Sequence, residues 1–146
     1  MFSKSFFSAD QVKQIESVIK SAEESTSGEI RVHIESRCKG DEVECATLAF
    51  HKLSMHKTLL RNGILFYLAL KDKKFAVIGD EAIHKNVPEG FWDLVRDKVL
   101  EQFKQEKFTE GLCEGIAMTG VELKKYFPHT ESDKDELSNE VTFGKK

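Results

Sequence analysis

From Val12 the apolar positions fall three and four apart, at Val12, Ile15, Val18, Ile19 and Ala22. That spacing predicts a helix with one buried face. Ser8-Ala9-Asp10-Gln11 supplies a capping box, Phe7 and Val12 are placed as a hydrophobic staple, and Ser25-Thr26-Ser27-Gly28 ends the element. Across Glu29-Ile30-Arg31-Val32-His33-Ile34-Glu35 the period changes to two, which predicts a strand with one face covered and His33 on the polar face. Asp41 to Glu44 opens a second helix, with Val43, Ala46, Phe50 and Leu53 on its buried stripe. The run "ILFYLAL" (Ile64 to Leu70) is apolar throughout, as a central strand buried on both faces requires. The turn "KDKK" is so short that "FAVI" (Phe75 to Ile78) must return antiparallel. Between this strand and the next helix, Gly79 to Glu89 reads as a polar loop. The third helix carries Trp92, Val95, Val99 and Phe103 on one stripe, with Pro88 in its first turn. A fourth, capped by Thr109, carries Leu112, Ile116, Leu123 and Phe127 and stops at Pro128.

Two strands joined through a helix form a right-handed crossover and run parallel, whereas the hairpin pair is antiparallel. The fold class that follows is α/β: a three-layer αβα sandwich, with a mixed central sheet of about four strands and helices on both faces. Residues 1–128 form the single domain. Residues 129–146 are an acidic tail, with five acids and one lysine between Glu131 and Glu140. Its "EVTF" (Glu140 to Phe143) is expected to add a short edge strand.

Composition narrows the function classes. A length of 146 residues, 40% apolar and 32% charged, describes one ordinary globular domain. A net charge of -3 provides no basic field, so neither nucleic acid nor an anionic membrane surface is an expected partner. The longest apolar run falls far short of the ~20 residues that span a bilayer. The start "MFSKSFFSAD" lacks the apolar core of a signal peptide. Cys38, Cys45 and Cys113 are odd in number and lack metal spacing, so they read as free thiols, with Cys38–Cys45 the pairing an oxidising setting would allow. A cytoplasmic monomer, with an unidentified protein as a further partner, is the expectation.

The chemistry lies in the loops. In an antiparallel pair the start of one strand lies beside the end of the other, so Arg61-Asn62-Gly63 and Gly79-Asp80-Glu81 share one rim of the sheet. Two carboxylates ~5 Å apart repel by roughly 3 kcal/mol at an effective dielectric near 20. Solvent, Arg61, Lys85 or a bound cation must offset that. Oxygen donors from Asp80, Glu81, Asn62 and Glu89, with Asp135 and Glu136 from the tail, suit one or two hard divalent ions, calcium (Ca2+) before magnesium (Mg2+). Zinc lacks a His/Cys cluster. No phosphate cradle, nucleophile elbow or zinc helix is present in the sequence, and no covalent catalyst is visible. The functional reading is therefore a small divalent-metal-binding domain. The alternative is a metal-dependent phosphatase or phosphohydrolase in which the ion activates water and Arg61 binds the phosphate.

In order along the chain, "FFSADQVKQIESVIKSAEESTSGEIRVHIESR", "RNGILFYLAL", "FAVIGDEAIHKNVPEGFW" and "DELSNEVTFG" resemble the TPM domain family in its short, stand-alone bacterial form. The resemblance implies a Rossmann-like αβα sandwich around four strands. It also implies divalent ions, which occur in several members, and a function that varies between members, among them a plant thylakoid-lumen acid phosphatase and membrane-anchored bacterial domains. Many members carry an acidic residue where this chain has Arg61, and a "GYG" type segment where it has Gly79-Asp80-Glu81.

Overall fold

A computed structural model describes residues 6–129 and 137–144. The elements, in order, are α1 (Ala9–Glu23), β1 (Glu29–Glu35), α2 (Glu42–Lys52), a 3-10 turn (Met55–Lys57), β2 (Gly63–Ala69), β3 (Lys74–Gly79), α3 (Glu81–Asn86), α4 (Phe91–Lys104), α5 (Phe108–Tyr126) and β4 (Thr142–Phe143). Strand β2 is buried at all seven positions, because its alternating side chains enter two different cores. Ile64, Phe66 and Leu68 join Ile15, Ile19, Val95, Val99, Leu112, Ile116 and Leu123 from α1, α4 and α5. Leu65, Tyr67 and Ala69 join Ala46, Ala49 and Phe50 of α2. The sheet order is β3-β2-β1-β4, with β1 parallel to β2 and β4, and β2 antiparallel to β3. This is the mixed four-stranded αβα sandwich that the hydrophobic pattern implies. The acidic tail's short edge strand is β4, although residues 130–136 lie outside the described residues.

The first capping box forms as its residue types require. Gln11 N–H donates to Ser8 Oγ at 3.1 Å, and Ser8 N–H donates to Gln11 Oε1 at 2.9 Å. Other boundaries differ from the pattern. Val43 is exposed, and the buried stripe of α2 is Ala46, Ala49 and Phe50. Pro88 lies in a turn before α4, closed by Phe91 N–H to the Pro88 carbonyl at 3.2 Å, and Gly90 takes the left-handed cap position at φ 88°. Thr109 is buried within the first turn of α5, and Lys107 precedes the helix.

Strand β1 is not half-solvated. Its polar face is covered by the returning tail: Leu137 N–H donates to Glu29, and Thr142 meets His33. His33 is only 7% exposed. Glu29 and His33, two of the strand's four polar side chains, are here buried and hydrogen-bonded rather than wet.

Two of the three cysteines also depart from the free-thiol reading. Cys38 and Cys45 are joined in a disulfide across a Cα–Cα distance of 6.1 Å, linking the exit of β1 to the first turn of α2. Cys113 is the free thiol. Disulfides persist in oxidising surroundings, so the cysteines no longer support a cytoplasmic setting. No helix among the described residues is long and apolar enough to cross a membrane.

Candidate functional site

The hairpin brings the two loops together. Asp80 N–H donates to the Gly63 carbonyl at 2.8 Å, and Ala82 N–H donates to the Arg61 carbonyl at 3.0 Å. The supposed loop after β3 is in fact helix α3, and Asp80 is its N-cap: Asp80 Oδ1 accepts from Glu81 N–H at 2.8 Å. A six-residue helix that buries one apolar side chain, Ile83, leaves almost no periodic trace in the sequence.

Arg61 answers the charge problem that the sequence poses. Its backbone sits at φ 52°, in the left-handed region uncommon for a residue with a side chain. From there Nε donates to Asp80 Oδ2 and Nη2 to Asp80 Oδ1, both at 2.8 Å, in the two-pronged geometry that planar guanidinium and carboxylate groups share. Nη1 lies 3.3 Å from Glu81 Oε2. The hydrogen bond to Asp80, outweighing desolvation, holds the Arg61 pKa above its ordinary value. Arg61 is thus the counter-charge for both acids.

The remaining candidates separate. Asn62 is 1% exposed and gives its amide N–H to the Ser27 carbonyl at 2.9 Å, a structural role that ties the loop to the start of β1. Glu89 is exposed in the turn before α4. Asp135 and Glu136 lie outside the described residues. Among the described residues, no group of three or more His, Cys, Asp or Glu gathers as metal ligands. Both Asp80 oxygens already face a cation, so the described rim alone does not fit an ion unless Arg61 moves.

The tail returns to this same rim. Ser27 N–H donates to the Phe127 carbonyl at 2.8 Å, Thr26 forms an antiparallel bridge with Pro128, and the Thr26 hydroxyl also donates to the Phe127 carbonyl. At the other end of the acidic segment, Leu137 packs against Gly63, with its Cδ1 3.6 Å from where a Cβ would stand. Sequence reasoning placed only the tail's edge strand and left these returns to the rim unread, because nothing local encodes such long-range contacts. It also passed over His33, Glu35 and Tyr67, which lie together at the far end of β1 and β2.

No curated protein matches the chain. Among solved structures it is similar to the BA42 protein from the psychrophilic bacterium Bizionia argentinensis, determined by NMR. That match has a TM-score of 0.89 and 44% identity, over 95% of this chain and 96% of that one. The N-terminal domain of the cg2496 protein from Corynebacterium glutamicum shares the fold at a TM-score of 0.64 and 13% identity, over 98% of this chain and 83% of that one. The N-terminal domain of a protein from P. gingivalis does so at 0.62 and 20%, over 86% and 82%. The TPM domain pattern matches residues 2–121, most of the chain, so the protein belongs to the TPM domain family.

Proposed function

We propose that this TPM domain binds a divalent cation, calcium or magnesium, at the rim formed by the β2 and β3 ends, taking one or two ions. One observation carries the reading. The described residues on either side of the acidic segment both lie at that rim, Phe127 and Pro128 at Thr26–Ser27 and Leu137 at Glu29 and Gly63. Gly63 in turn accepts from Asp80 N–H. Glu136 is bonded directly to Leu137, and Asp135 is one residue further on. Carboxylate oxygens from Asp135, Glu136 and the half-exposed Glu81 are the donors a hard ion prefers, with Asp80 joining if Arg61 swings away. Asn62 and Glu89 contribute less, the first because its amide is engaged and the second because it lies beyond α3.

The phosphohydrolase alternative needs Arg61 for the phosphate, and Arg61 is already held by two carboxylates. Cation binding is therefore the favoured reading.

The test is thermal unfolding of chelator-treated protein with and without added calcium or magnesium. At a hundred times Kd, a bound ion stabilises by ~2.7 kcal/mol, which raises Tm by roughly 5–10 °C in a domain of this size. Asp135→Asn with Glu136→Gln abolishes the rise. A chelated protein whose Tm no divalent ion moves refutes the proposal.

A further inference from the structure

At the opposite end of the sheet from the rim, a crevice of about 570 Å³ opens between α2 and the end of β4. That volume is in the range that holds small organic ligands. The crevice lies outside the carboxyl ends of the parallel strands β1 and β2, where chain order reverses from β2 on one side of β1 to β4 on the other. In open α/β sheets this is where ligands bind.

Its floor is polar where a core would be apolar. His33 Nδ1 lies 2.6 Å from Thr142 Oγ1, and His33 Nε2 lies 2.8 Å from Glu35 Oε2. Tyr67 stacks on His33 with ring centroids 6.1 Å apart. Glu35 keeps 29% of its side chain exposed. Gly144 packs directly against the Glu35 carboxylate. Burial of the phenol, helped by Glu35 and Asp72, pushes the Tyr67 pKa up to about 12, so it stays a neutral donor. Leu48 of α2, Leu53 at its C-terminal cap and Phe143 of β4 form apolar walls, and the exposed Arg37 and Lys52 also line the crevice. Arg37 gives Nη1 to Asp72 at 3.0 Å, and a guanidinium has further donors to offer.

We infer that this crevice binds a small organic anion. Its carboxylate or phosphate is held by Arg37 and Lys52, its apolar body lies against Leu48, Leu53 and Phe143, and a hydrogen-bond donor at its far end reaches Glu35. The site is separate from the rim and needs no metal.

The experiment is an amide NMR titration of the full chain with para-hydroxyphenylacetate, which carries all three features. Tyrosol lacks the anion, phenylacetate lacks the donor, and phenyl phosphate, compared with phenylacetate, reports which anion is preferred. The expected result is a saturable shift confined to residues around Leu48, Leu53, Tyr67 and Phe143. Affinity falls about tenfold or more for tyrosol, and equally for the Arg37→Ala/Lys52→Ala variant, as loss of charge-assisted hydrogen bonds requires. Both substituted positions are largely exposed, so the variant's spectrum elsewhere stays that of the starting protein. The inference is overturned if neither para-hydroxyphenylacetate nor phenyl phosphate gives a saturable shift there, or if the double variant binds as tightly as the original.

Discussion

Helix α5 approaches α4 and the sheet at Gly115, where an added Cβ would lie 2.6 Å from Val99 Cγ2 and 3.0 Å from Phe66 Cε2. Val99 and Phe66 are both fully buried, so neither can swing aside. Overpacking of this kind costs about 1–3 kcal/mol. Alanine is better than glycine in a helix interior by about 1 kcal/mol, so Gly115→Ala should destabilise by a net ~0–2 kcal/mol. Val99→Ala alone should cost roughly 2 kcal/mol, from two lost methyl groups and the space they leave. In that background the closest clash is gone, and alanine at position 115 partly refills the space. Its effect then turns stabilising, by up to ~1 kcal/mol from helix propensity. The double-mutant coupling energy is therefore about 1–3 kcal/mol, read from urea unfolding of the four proteins at a common m-value. Effects that add to within ~0.5 kcal/mol would refute the claim that α5 is seated by the absence of a side chain at Gly115.

Alkaline pH should weaken the fold in a defined window. Burial, with Glu110 adding to it, pushes the Cys113 thiol from 9.0 up to about 11, and Tyr67 moves from 10.0 to about 12. Each folded pKa lies above its unfolded value, so the stabilisation is complete below pH 9 and is lost as pH climbs through 9–11 and then 10–12. Urea midpoints that stay flat across pH 9–11 would contradict this, as would fast alkylation of native Cys113 at neutral pH. Reducing Cys38–Cys45, separated by seven positions, frees a short loop in the unfolded chain and should cost about 2.5 kcal/mol by the chain-entropy relation, visible as a lower Tm in reductant. Asp80→Ala removes the α3 cap and should cost at least ~1 kcal/mol, with faster hydrogen exchange at Glu81 and Ala82 as the local readout.

The parts of the fold that could be read in advance are those whose signals are local. Ser8 and Gln11 encode a helix start within four residues, and the uninterrupted apolar run of β2 followed by a four-residue turn leaves only a hairpin. Even the meeting of Arg61 with Asp80 followed from that hairpin, although which of several counter-charges would prevail did not. What escaped was decided at a distance. His33 looks solvent-facing until Thr142, 109 positions later, comes to lie beside it. Helix α3 is too short to show a period, and Thr109 resembles a cap until packing buries it. The Cys38–Cys45 bond depends on how α2 is set against the exit of β1, which spacing alone does not say.

Residues 137–144 begin at the rim with Leu137 and end at the crevice with Gly144, lying along β1 in between. Only two residues of this stretch pair as a strand, so it should dock last in folding and detach first, as its own cooperative unit. Whatever fastens one end of it lowers the entropy still to be lost at the other. If the rim and the crevice each take a ligand, reciprocity follows: the factor by which an occupant of one tightens the other must be returned in full.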